Sequence, residues 1–263
     1  MDTTPTTLSP NTSSAVEEQH SLARTLVLHL LPGVLILAFF VAVAPLLRGI
    51  GFPPVMAVYL AIVFVLIPFE LGYLIYQARK NGTSLGNIVL YRQPVPRGQL
   101  FLIVLTLFAG GFVIGALLQP VDFIVKENLF SWVPTGYDVT YGLYGGVARF
   151  STANILIVWA FGLIVNVIVA PVVEEVYFRG YLLPRISRFG AWAPLLNTVL
   201  FSLYHFFSPF GFISRIGSYL PLAYGAWWKR NIYLSMIVHV LFNFTASVFT
   251  LLLILGIFGG VPG

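Results

Sequence analysis

The 263-residue chain contains no cysteine, which excludes disulfides, thiol nucleophiles, iron–sulfur clusters and cysteine-ligated zinc. Charge is scarce: 9% of residues are Asp, Glu, Lys or Arg, against about 25% in a soluble domain. Aspartate occurs only at Asp2, Asp122 and Asp138, all in expected tails or loops, so a membrane aspartyl dyad is excluded. The four histidines, His20, His29, His205 and His239, form no H-E-x-x-H helix, and no G-x-S-x-G elbow occurs. No basic run exceeds two residues, so the +5 net charge reads as loop asymmetry and not as a nucleic-acid surface. Internal repeats and a soluble domain are also lacking.

What remains is hydrophobic. Apolar residues make up 58% of the chain and mean hydropathy is +0.91, the composition of an all-α, multi-pass integral membrane bundle. The pattern predicts about seven to eight transmembrane helices, seven of which can be placed: Leu26–Leu47, Val55–Gln77, Leu100–Leu118, Thr152 to as far as Leu183, Trp192–Phe207, Ile216–Trp228 and Ile232–Ile257. Residues 1–24 read as a disordered polar tail, without the basic start and cleavage site of a signal peptide. Residues 25–150 hold three helices and their loops, including a long loop over 119–150 with interfacial Trp132, Tyr137, Tyr141 and Tyr144. Residues 151–263 form the expected catalytic region. Gly111 and Gly115 give the third helix a small-residue face for close packing.

A cytoplasmic N-terminus puts nine basic residues inside (Arg24, Arg79, Lys80, Arg92, Arg97, Arg185, Arg188, Lys229 and Arg230). Four fall outside (Arg48, Lys126, Arg149 and Arg215). This satisfies the positive-inside rule and suits the cell membrane, with the mouth of any cavity on the cytoplasmic side, by the basic turns.

The chemistry concentrates at the end of the fourth helix. Glu174, Glu175 and Arg179 follow a run, Ile155 to Val173, whose one polar side chain is Asn166. Each charge near a helix centre costs roughly 2.5–3.5 kcal/mol on insertion scales, so all three need partners within a bundle, and intramembrane acids of this kind point to function. Glu175 and Arg179 have i,i+4 spacing for an ion pair, leaving Glu174 as the unpaired acid. The turn near Phe189 lies about 15 residues after Glu174 and about 16 before His205, so antiparallel neighbours bring them level, each on the order of 20 Å from the turn. Phe201 precedes His205 by one helical turn, and His239 and Asn243 are likewise four apart. Glu70 has no matched partner and is either structural or lines a cavity. His29 is expected at the interface.

Taken in order, Glu174-Glu175-x-x-x-Arg179, Phe201-x-x-x-His205 and His239-x-x-x-Asn243 resemble the three motifs of the CPBP (Abi) family, which includes CAAX prenyl endopeptidases and bacterial immunity-type membrane proteins. The resemblance spans about Asn154 to Ala246. It implies an intramembrane endopeptidase acting on a membrane-associated protein or peptide. A glutamate in an apolar cavity suits proton transfer near neutrality, so Glu174 is expected to activate water and His205 to orient it. His239 and Asn243 are expected to donate to the oxyanion. Glu175 and Arg179 would hold the helix in register and Phe201 would pack beneath His205. No cofactor is favoured. A zinc-dependent protease using Glu174, His205 and His239 is an alternative, as are a non-enzymatic immunity or partner-binding membrane protein and, behind both, a transporter.

Overall fold

The computed structural model describes residues 18–139 and 150–257. Tyr141, Tyr144 and Arg149 lie outside those residues, as does the polar tail up to Glu17. The described chain is helical, without a strand among the described residues. Its main elements are α1 (Leu22–Gly49), α2 (Val55–Lys80), α3 (Arg97–Leu129), α4 (Thr152–Leu182), α5 (Trp192–Leu203), α6 (Phe212–Lys229) and α7 (Ile232–Ile254). Five of them, α1 to α4 and α7, are long and apolar enough to cross a membrane.

Local chemistry sets the boundaries. Ser21, Ser151 and Asn231 each accept a hydrogen bond from a first-turn amide of α1, α4 and α7, satisfying a donor that a helix start otherwise leaves orphaned. Arg230, left-handed at φ 48°, closes α6. Its carbonyl accepts from the Gln93 amide at 2.9 Å, pinning the loop before α3 to the α6–α7 turn. Two expectations change here. The segment after Leu118 is not a loop: α3 continues for about three further turns, through Pro120, to Leu129. The fifth helix ends at Leu203, so His205 sits just beyond it, in a turn.

Most of α3 faces outward. Phe101, Leu102, Leu105, Val113 and Leu117 are exposed apolar side chains, as expected of a lipid-facing helix. Its inner face carries Gly111 and Gly115, where a Cβ would run into Ser218 of α6, so these glycines permit the close α3–α6 contact. At Gly33, similarly, a Cβ would strike the Tyr204 carbonyl, so α1 crosses the end of α5 backbone to backbone.

The second half of α4 is the hub, touching α1, α2, α5, α6 and α7. Here the helix opens into wide i→i+5 turns over Val165–Val169 and Glu175–Leu182. The Leu183 amide donates to the Phe178 carbonyl, five residues back, at 2.9 Å. Such turns recur at functional sites, because they redirect side chains and release carbonyls. The chain before α1 is anchored too: the His20 amide donates to the Arg185 carbonyl at 2.8 Å, and Gln19 bonds to Pro184 and Arg188.

Candidate active site

The two adjacent glutamates of α4 face different surroundings. Glu175 is fully buried. Its Oε1 lies 3.3 Å from Arg179 and accepts from His239 Nδ1 at 3.0 Å. The Arg179 guanidinium, also fully buried, lies 4.0 Å over the Phe201 ring. Its nitrogens are off hydrogen-bond alignment, so charge and ring stacking hold it in place.

Glu174 points the other way. Its Oε1 accepts from the Tyr204 hydroxyl, and its Oε2 lies 3.6 Å from His239 Nε2. The His239 imidazole therefore sits between the two glutamates. Its Nδ1 is on Glu175 and its Nε2 faces Glu174 Oε2.

His205 donates from Nδ1 to the Phe201 carbonyl at 2.9 Å. A carbonyl can only accept, so this bond leaves the neutral ring an Nε2 lone pair, an acceptor for a water proton. The ring packs edge-on to Phe201 at 5.1 Å and against Tyr204 at 4.2 Å. Asn243 donates from Nδ2 to the Asn166 carbonyl at 2.8 Å, an acceptor in the first wide turn of α4. One N–H of the Asn243 amide remains.

Glu174, His205, His239 and Asn243 line a common cavity of about 210 Å³ with Arg215 and Tyr219. A second, polar cavity of about 850 Å³ shares Asn166, Asn243, Arg215 and Ser208 with the first. It runs toward Asp122, Lys126 and Asp138, the last two paired at 2.7 Å. An apolar cavity of about 860 Å³ adjoins across Phe207 and holds neither carboxylate nor histidine. The larger cavity thus extends toward the end of α3 and the start of α2, whereas the loop charges alone put the mouth at the basic turns.

Several residues differ from expectation. Arg215, expected in an outer loop, is on α6 and lines both polar cavities, because α6 starts at Phe212. Tyr204 and Tyr219 carried no sequence signal beyond their nearness to His205 and to α6, whereas Asn166 stood out as a polar residue in an apolar run. His29 is not interfacial: it is fully buried, donates from Nδ1 to the Thr25 carbonyl at 2.7 Å and accepts from Asn197 at 3.0 Å. Glu70 is fully buried with neither oxygen hydrogen-bonded among the described residues, and it does not line the 210 Å³ cavity.

The zinc alternative finds a poor donor set. Among the described residues no three His, Asp or Glu side chains stand together as metal ligands. Zinc needs three protein ligands converging on one point at about 2.0–2.2 Å.

The fold and site define a membrane helix bundle with a buried carboxylate–imidazole centre opening on a polar cavity. Residues 156–245, which carry all three motifs, match the family described as Type II CAAX prenyl endopeptidase Rce1-like. The match supports a CPBP-family protein, and an Rce1-like domain implies a peptidase. No curated protein and no solved structure matches the chain.

Proposed function

We propose that this protein is an intramembrane endopeptidase that hydrolyses a peptide bond of a membrane-associated protein or peptide with a water activated by Glu174. The observation that carries the reading is the fixing of Glu174 by Tyr204 at the wall of a cavity that His205 and Asn243 also line. Water held between Glu174 and His205 Nε2 gives one proton to Glu174 as its oxygen bonds to the scissile carbonyl carbon. The oxyanion so formed accepts the remaining N–H of Asn243. Glu174 then passes the proton to the amine nitrogen as the C–N bond breaks, releasing amine and carboxylic acid. His239, between Glu175 and Glu174, positions Glu174, a role different from the oxyanion donation expected from the motif.

No step needs a metal. The apolar cavity beside the polar one suits a substrate delivered from the bilayer. In the cell membrane with a cytoplasmic N-terminus, the polar cavity opens on the opposite, non-cytoplasmic side. Single cysteines replacing Asp122 and Arg188 test this: impermeant reagent should reach the first only from outside and the second only from inside, and the reverse pattern sinks the orientation. The activity is tested by incubating purified protein with a library of membrane-anchored peptides and mapping new termini by mass spectrometry. Cuts confined to residues near the bilayer are expected, and a library left intact counts against the proposal.

A further inference from the structure

Arg215 is a cation that the reaction above leaves unused. It lines the 210 Å³ cavity beside Glu174 and also the larger polar cavity. Among the described residues it forms no ion pair. Asp122, across the same cavity, is engaged elsewhere: its Oδ1 accepts from the amides of Ile213 and Ser214 at 3.2 Å each, capping α6. The guanidinium is held by NH1 to the Ser202 carbonyl at 3.3 Å and by NH2 to the Ser208 hydroxyl at 2.9 Å and carbonyl at 3.5 Å. These bonds use three of its five N–H groups. Arg215 is half-buried at the start of α6, and a cation fixed at the wall of the cavity that holds Glu174, with no counter-ion of its own, is a candidate functional group.

The other donors of the small cavity are spent or neutral. The Tyr204 hydroxyl goes to Glu174, His205 Nδ1 to Phe201 and His239 Nδ1 to Glu175, which leaves neutral groups: one N–H of Asn243, the Tyr219 hydroxyl and the Asn166 side-chain amide. Neutral donors are a weaker match for a full negative charge than a cation is.

We propose that Arg215 is a further catalytic residue, donating to the oxyanion of the tetrahedral intermediate opposite Glu174, together with the free N–H of Asn243. This inference rests on the endopeptidase reading. The Ser202 and Ser208 bonds pre-orient the fork, so no reorganisation is needed as the charge develops. The same bonds allow a purely structural role, pinning the Leu203–Gly211 turn, and the test has to separate the two.

Interactions made only in the transition state change kcat and the binding of its analogues, while KM and unfolding report ground-state binding and folding. For a cleaved library peptide, Arg215→Gln is expected to lower kcat by about 10²–10³-fold with KM within about threefold. The inhibition constant of a phosphinic analogue of the same peptide should rise by a similar factor. Arg215→Lys, which keeps the charge without the fork, is expected to fall between. Activity in the unsubstituted protein with Arg215→Gln unchanged in kcat and in phosphinic inhibition overturns the inference alone. So does a loss in which KM, inhibition and melting temperature shift together. An unsubstituted protein that cleaves nothing overturns the inference with the reading it rests on.

Discussion

Replacing Glu175 by Gln keeps the side-chain shape and an acceptor for His239 but removes the charge facing Arg179, 3.3 Å away. Arg179 is then a fully buried cation with no hydrogen bond from any guanidinium nitrogen, left with the Phe201 ring face. Breaking a buried pair in this way costs about 3–5 kcal/mol. At about 2–4 °C per kcal/mol for chains of this order of size, Glu175→Gln should lower the melting temperature by roughly 6–20 °C. The five tryptophans give a fluorescence readout of unfolding in detergent. Removing both charges is the sharper test. Glu175→Gln with Arg179→Met puts an apolar side chain of similar length over Phe201, and apolar replacement of a whole buried pair is often neutral or stabilising. The double variant should recover most of the lost melting temperature. A single variant that melts like the unsubstituted protein, or a double variant no better than the single, refutes the assignment of Glu175 as the partner that holds Arg179.

Other outcomes follow from the same geometry. Tyr204→Phe keeps the ring against Phe178, Phe201 and His205 but frees Glu174. Loss of a hydrogen bond to a charged group, about 1.5–3 kcal/mol of stability, should lower the melting temperature by roughly 3–12 °C and slow cleavage; an unchanged rate removes Tyr204 from the site. Dialysis against a chelator should leave cleavage intact, and loss of activity restored by stoichiometric zinc reverses the metal-free mechanism. At the membrane edge, burial, reinforced by Arg24 and Arg185, pushes His20 down to about 4 from its ordinary 6.5. The unfolded chain therefore binds the extra proton first, so stability is full above about pH 6.5 and falls as pH drops from there toward 4. The melting temperature should decline over that window, and His20→Phe should flatten the decline; identical profiles exclude His20 as its source.

Hydropathy located the seven main helices of the described residues, five of them long and apolar enough to cross a membrane. It misjudged where polar residues lie inside the bundle. Gln119, Asp122, Lys126 and Glu127 break the apolar pattern and so read as loop, yet α3 continues through them, with Asp122 and Lys126 lining the polar cavity. The same error put Arg215 in a loop. Helical spacing paired Glu175 with Arg179 and set Phe201 under His205, because those contacts are local. Contacts between helices were not legible: Tyr204 on Glu174, Asn243 on the Asn166 carbonyl, and His239 between two glutamates. The wide turns of α4 that present these groups depend on tertiary packing, and no residue pattern announced them.

Glu174 is the residue on which the mechanism stands. Glu174→Gln retains an oxygen to accept from Tyr204 and adds no bulk, so the variant should melt within a few degrees of the unsubstituted protein. Its rate on a cleaved membrane-anchored peptide should fall by about 10²–10⁴-fold, the usual contribution of a general base. Well-folded Glu174→Gln protein that cleaves at the full rate would contradict the account.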